Sequence, residues 1–373
     1  MHTPCRESAL DDDHSVLHYG NIACFMRVLQ LGPYPPPHGG VQSNLVAIRQ
    51  YLQSQGIFCA VVNLTRYRRP EADDIYYPKN PFEVVSLLLR LQYDILHIHF
   101  GGNITFRLLA LWLVCSLIPR KRTVLTFHSG GYPSSKEGQT ARPGTLRGFI
   151  FRRLDRIIGV NAEMVAMFRR FGVSAGRVRL IPPHAFLQQP HTQMRPEIAG
   201  FFQSHTPVLA TVGGLEPEYD IPLQVDAIGE LLAKFPRLGL VVIGAGSLER
   251  EMRDLIRSKS YSSHMLLCGD VDHAETLRII QECRIVLRTT LYDGDSIAVR
   301  EALYLGTPVI ATDNGMRPPG VHLIAISDRD GCRRMIEQVL VDPPPQEPRA
   351  RHTNADNILA VLELYRELLK SNK

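Results

Sequence analysis

Cys283-Arg-Ile-Val-Leu-Arg-Thr-Thr-Leu-Tyr-Asp293-Gly-Asp-Ser-Ile297-Ala-Val-Arg-Glu301-Ala-Leu-Tyr-Leu-Gly306-Thr-Pro-Val309-Ile-Ala-Thr-Asp313 is the stretch on which the reading of the fold turns. Residues 285–287 are an apolar run of strand length, residues 296–305 place Ile297, Ala298, Ala302 and Leu305 at helical spacing, and residues 308–311 are a second strand. The order is therefore strand, loop, helix, strand. The loop Tyr292-Asp293-Gly294-Asp295-Ser296 is rich in helix-starting residues, so the helix is expected to begin near Asp295 or Ser296. Unpaired amides at such a helix head suit a phosphate, by roughly 0.5 to 2 kcal/mol from the dipole alone. Glu301 lies four residues after Ile297 on the same face, one turn further in, where a carboxylate can accept hydrogen bonds from a ribose diol. Asp293, in the loop above, is placed to reach a group attached beyond the phosphates.

Working outward, the same alternation runs through both halves of the chain. Before it come strands at 26–31, 58–64, 94–99, 123–127, 156–160 and 178–181, with helices expected at 41–55, 82–92, 104–118, 146–154 and 162–171. A second series has strands at 208–212, 238–243 and 265–268 and helices at 222–235, 248–259 and 274–281. Apolar strands alternating with helices predict an α/β protein with parallel sheets covered on both faces, whose ligands sit at the carboxyl ends of the strands. His99 and His128 fall at such ends. His99 is open to two readings, a ligand or a satisfied histidine tying down a loop. The expected organisation is an extension at 1–25, a first domain at 26–185, a proline-rich linker at 186–206, a second domain at 207–345 and a tail with a final helix at 346–373. Residues 1–25 show neither periodicity, and are read as a disordered extension or as lying upstream of a true start at Met26.

Composition agrees with two globular domains: 373 residues, 45% hydrophobic and 21% charged. Seven scattered cysteines without paired spacing argue for a reducing compartment and against a zinc site. Residues 120–180 hold 13 Lys or Arg against Glu137, Asp155 and Glu163, a local net charge of +10 within a chain of +5. Such a face suits an anionic membrane surface or a phosphorylated acceptor, or is simply solvated. No recognition motif accompanies it, so nucleic acid is not an expected partner. The apolar run 108–118 falls short of the ~20 residues needed to span a bilayer. With Asp11-Asp12-Asp13 near the start and no apolar leader pattern, the expected location is cytoplasmic, at most peripheral at the inner face of a membrane.

The stretch 283–313 resembles the nucleotide-sugar signature of the group 1 glycosyltransferases, a retaining family with the GT-B fold of two Rossmann-like domains facing a cleft. The family's pattern of Glu, seven residues, Glu, Ala and a Gly-Thr-Pro-Val turn is similar to Asp293, Glu301, Ala302 and Gly306-Thr307-Pro308-Val309. The resemblance extends over about residues 26–340, with Gly39-Gly40, the His97-x-His99 and Thr126-x-His128 segments, Gly244-Ala245-Gly246 and Gly269-Asp270-Val271 in the family's order. It implies transfer from a nucleotide-diphosphosugar to a glycan or lipid-linked acceptor, with retention and with no cofactor or bound metal. By the same resemblance, His128 meets the donor sugar, Gly39 and Gly40 lie beside the phosphate and acceptor, and Glu301 holds the ribose. Asp293 would hold the sugar hydroxyls, Gly244 and the backbone of Gly269 and Val271 would line the nucleoside, and Gly294, Asp295, Ser296 and Ile297 would receive the diphosphate.

One segment departs from the pattern. Where the family carries Gly-Arg-Leu and then Lys-Gly, two cations that neutralise the leaving diphosphate, this chain has Gly214 and Tyr219-Asp220. Losing both removes a few kcal/mol of transition-state stabilisation unless Arg288 or Arg317, near the same strand ends, replaces them. The departure keeps two further readings open: a catalytically weakened nucleotide-sugar binding protein, and a GT-B-fold sugar-nucleotide epimerase.

Overall fold

A computed structural model describes residues 26–36, 39–65, 74–183, 192–315, 317–342 and 355–370. The first lobe is built on a seven-stranded sheet of β1 Arg27–Gly32, β2 Phe58–Asn63, β3 Ile75–Tyr76, β4 Ile95–Phe100, β5 Arg122–Phe127, β6 Arg156–Gly159 and β7 Val178–Leu180, in the order β3-β2-β1-β4-β5-β6-β7. The second has six strands, β8 Val208–Val212, β9 Gly239–Ile243, β10 Met265–Gly269, β11 Ile285–Arg288, β12 Val309–Thr312 and β13 Val321–Ile324, in the order β10-β9-β8-β11-β12-β13. Every strand pair in both sheets is parallel. The central strands are mostly apolar and buried because helices cover both faces, so alternate side chains on either face meet a packed layer.

The strand orders also locate the site. In the first sheet the chain winds outward from β1 and then returns to its other side at β4; the second sheet repeats this at β8 and β11. Loops leaving the carboxyl ends of the strands diverge at such reversals and leave a crevice. The segments after β1, β8 and β11 lie there, and two of them are the Gly39-Gly40 and Asp293–Ser296 segments.

Several elements escaped the sequence reading. Residues 192–206 are not all linker: Pro196–Ser204 is a helix whose Ile198 and Phe201 pack with Val208, Val241 and Val286 in the second lobe's core. Its two and a half turns are too short for periodicity to show. The short strands β3 and β13 and the helix Arg329–Val341, which buries Cys332, Ile336 and Val339 beneath a charged face, were also unforeseen. The final helix, Ala355–Lys370, leaves the second lobe and buries Ile358, Val361, Leu362, Tyr365 and Leu368 among Val28, Ile48, Ile95 and Ile158 of the first. Residues 1–25, and 184–191 across the start of the expected linker, lie outside the described residues. Among the described residues, no helix is long and apolar enough to cross a membrane. The apolar run read at 108–118 falls on the helix Phe106–Leu117 and its C-cap Ile118; Leu109, Trp112 and Cys115 of that helix are buried in the first lobe.

Candidate functional site

A cavity of about 300 Å³ lies between the lobes. Two helix beginnings open on it. The helix Ile297–Leu305 starts at Ser296, whose Oγ accepts weakly from the Val299 amide at 3.5 Å. The amides of Ile297 and Ala298 make no hydrogen bond among the described residues, and both residues line the cavity. Opposite stands the helix Gly40–Ser54, with no side-chain cap at Gly39 and no acidic residue in its first turn. A Cβ on Gly40 would sit 3.7 Å from Cδ1 of Ile297, so the helix heads are in near contact. Two positive dipole ends with free amides therefore converge on one space, the arrangement an anion favours.

Arg288, at the end of β11, supplies a full positive charge to that cavity. Its Nε and Nη2 donate to Asp293 at 2.8 and 3.1 Å, and Nη1 donates to the Val212 carbonyl at 2.8 Å. These contacts use three of the five N–H donors of the guanidinium, and the Tyr219 hydroxyl is a partner for a fourth, so one remains for a ligand. Its carbon lies 4.7 Å from the centre of the Tyr219 ring. Arg317 approaches Asp293 from the other side at 2.8 Å, with its other donors on the Thr312 carbonyl and the Thr290 hydroxyl. Burial opposes charge on Asp293, but Arg288 and then Arg317 outweigh it and hold the carboxyl below the usual range.

This changes the expected role of Asp293. It lines the cavity, but Oδ1 accepts from Arg288 and the Gly294 amide, and Oδ2 from both arginines and Thr290. A carboxylate occupied in this way has no lone pair left for sugar hydroxyls. It anchors the arginines instead. Asp295 is likewise bound to Arg300, through contacts of 2.6 and 2.5 Å, although burial still raises its carboxyl above the usual value.

Glu301 is 3% exposed, lines the cavity and accepts at Oε1 from Nε2 of His273 at 2.6 Å; Oε2 has no partner among the described residues. Val271 and Asp270 line the same end. Gly244 lines it too, at φ +130, where a Cβ would fall 1.8 Å from the Gly213 carbonyl oxygen. Its amide donates to the Gly269 carbonyl at 2.8 Å. Gly269 itself is outside the cavity lining and acts through that bond.

His128 lines the cavity from the first lobe, with Nε2 buried and unpartnered. Burial lowers its pKa to about 3, so the ring is neutral and offers a hydrogen bond rather than a charge. Behind it, His99 is buried with both ring nitrogens unpartnered, 6.1 Å from His128 between centroids. His97 is satisfied by Tyr365 and Thr126, at 2.5 and 2.6 Å. Beside His128, the backbones of the two lobes touch: a Cβ on Gly130 would lie 2.1 Å from the Gly294 nitrogen.

Comparison with known proteins fits this geometry. Residues 198–321 match the family described as Glycosyl transferases group 1, and residues 38–185 match Glycosyltransferase Family 4. The chain belongs to the group 1 glycosyltransferases. It is 23% identical over 367 residues to a phosphatidyl-myo-inositol mannosyltransferase of Mycobacterium tuberculosis, covering 91% of this chain and 88% of that protein. Among solved structures, Anabaena HepE in complex with UDP-glucose superposes with a TM-score of 0.69 at 16% identity, over 93% of this chain and all of that one. The catalytic domain of Arabidopsis thaliana starch synthase IV, bound to ADP and acarbose, gives 0.67 at 12% identity, over 92% and 99%. The two lobes are the GT-B fold.

The cation positions expected from the sequence resemblance are filled differently here. At the family's Lys, Tyr219 lies against Arg288, and Gly213 leaves it room: a Cβ there would fall 2.1 Å from the Tyr219 ring. Only Arg288 of the two arginines named from the sequence reaches the cavity; Arg317 is 2% exposed and serves as an anchor. Sequence reasoning missed Tyr219, His273 and Gly130. The only local signal for His273 was its place one residue after the capping Asp272, where a side chain at a helix head faces the strand ends.

Proposed function

We propose that this glycosyltransferase moves a sugar from a nucleotide-diphosphosugar to a glycan or lipid-linked acceptor. One observation carries the reading: the bare amides of Ile297 and Ala298, the guanidinium of Arg288 with its remaining N–H group, and the Oε2 of Glu301, unpartnered among the described residues, all belong to one cavity. That set matches a diphosphate joined to a ribose. When the bond between the anomeric carbon and the phosphate oxygen breaks, negative charge gathers on the diphosphate. Fixed amides and a guanidinium in a partly enclosed site stabilise it without reorganising. Neutral His128, on the facing lobe, hydrogen-bonds the sugar. With retention, the acceptor hydroxyl enters on the face the diphosphate leaves, so a departing phosphate oxygen is in reach of its proton. The mannosyltransferase relatives and the UDP-glucose bound to HepE support a hexose donor. Exposed arginines on the first lobe, among them Arg142, Arg152, Arg153, Arg169 and Arg170, suit a phosphate-bearing acceptor or an anionic membrane face.

A panel of UDP-, GDP- and ADP-hexoses tests this by thermal stabilisation, since a ligand at 100 times its dissociation constant adds about 2.7 kcal/mol. One donor is expected to stabilise the protein and to be turned over with an acceptor; Glu301→Ala should weaken that donor roughly 10- to 100-fold. Donor binding with no turnover across a broad acceptor panel would make the protein a binding module instead. Conversion of the donor with no acceptor present would make it an epimerase.

A further inference from the structure

Glu301 sits one turn inside the helix whose head receives the diphosphate, and it does not stand alone. His273, first residue of the helix His273–Glu282, donates from Nε2 to Oε1 at 2.6 Å. The contact joins two helices across the wall of the cavity, and both residues line it. The imidazole is 31% exposed and the carboxylate side chain 4%, so the histidine closes the outer side of a carboxylate that is otherwise buried. Oε2, the remaining oxygen, has no partner among the described residues, and neither has Nδ1 of His273. A buried carboxylate with one oxygen committed in part and one open is fixed in rotation about its terminal bond and presents most of its acceptor capacity in one direction.

We propose that His273 is a positioning residue that fixes the rotation of Glu301 and occupies one oxygen in part, so that the other oxygen reads one hydroxyl of the donor's ribose in preference to its neighbour. An unheld glutamate would offer both oxygens equally to the diol; here His273 takes one lone pair of Oε1 and stands beside that oxygen, while Oε2 keeps both of its own, which makes the nucleoside site asymmetric between the 2′ and 3′ positions. Burial alone would lower the pKa of His273, but the Glu301 hydrogen bond and charge, with Asp272 adding, raise it, so the ring holds its Nε2 proton towards Glu301. The inference rests on the nucleotide-sugar reading above.

The experiment uses the full chain and calorimetry with UDP, GDP and ADP, then with the 2′-deoxy and 3′-deoxy forms of whichever binds. In the wild type, one deoxy form is expected to bind about tenfold more weakly and the other within about twofold of the parent. In His273→Ala the parent nucleotide falls by about tenfold, and the difference between the two deoxy forms disappears. His273→Gln, which retains a donor of similar reach, restores both. Equal losses for the two deoxy forms in the wild type, or an unchanged asymmetry in His273→Ala, overturn the role of His273 while leaving the nucleotide site intact. Binding of none of the three nucleotides to the wild type overturns both readings together. Matching thermal unfolding of the variants shows that a loss is local.

Discussion

Asp293 and Arg288 show how a residue's role depends on its neighbours. From its place in the loop, Asp293 is an acid facing a sugar; in the structure it is a buried anion between two buried cations. Removing the charge while keeping the shape leaves Arg288 and Arg317 together without a counter-ion. Asp293→Asn is therefore expected to cost about 3 kcal/mol of stability, measured by urea unfolding. A loss near zero would show that the arginines are not held by this carboxylate. Donor affinity should fall in the same variant, because Arg288 loses the two contacts that aim its remaining N–H group. The sequence placed both arginines near the strand ends as candidate cations, but it could not tell which one reaches the cavity, since the distinction between Arg288 and the enclosed Arg317 is one of depth.

The element that matters most is the strand-loop-helix of β11 and Ile297–Leu305, and its head is shaped as much by the first lobe as by its own residues. The segment His128–Gly131 lies against Tyr292–Gly294 so closely that a methyl group on Gly130 meets the backbone of Gly294, whereas one on Gly131 meets only the Tyr292 ring at 2.9 Å. A ring can shift and a backbone cannot without moving the helix head. Gly130→Ala is thus expected to lower kcat/KM at least about tenfold by displacing His128 from the donor. Because the contact lies between lobes, its urea midpoint should stay near that of the wild type. Gly131→Ala should retain most activity. Equal activity in both variants would show that the seam does not set the site. The helix start at Ser296 was legible because capping chemistry is local; the need for glycine at 130 was not, since φ there is ordinary and the constraint comes from the other lobe.

Across the whole molecule, the last helix and the three histidines tie the chain's end to the cavity. Tyr365 of the helix Ala355–Lys370 bonds His97, the rings of His97 and His99 lie 4.0 Å apart, and His128 follows at the cavity wall. Burial lowers the pKa of His97 and His128 to about 3 and puts His99 well below its usual value. Groups with depressed folded pKa values of this kind leave stability whole above the unfolded value near 6.5 and remove it as pH falls towards 3, because the unfolded chain takes up the protons. Each contributes about 1.4 kcal/mol per pH unit in that window, so the three together give a slope of about 4. Urea unfolding at pH 7 and pH 5.5 measures it, and a flat profile would mean that the rings are charged in the fold. The amino-acid sequence by itself determined what each segment does alone: the alternation of strands and helices, two parallel sheets, a helix beginning at Ser296 and the acid further along it. These follow from side-chain period and capping, which act over a few residues. Only the tertiary structure decided which charges neutralise one another, that His273 holds Glu301, that Arg288 stands against Tyr219, and that the final helix packs on the first lobe. Those contacts join residues far apart in the chain, and their energies depend on burial, which exists only after the lobes have closed.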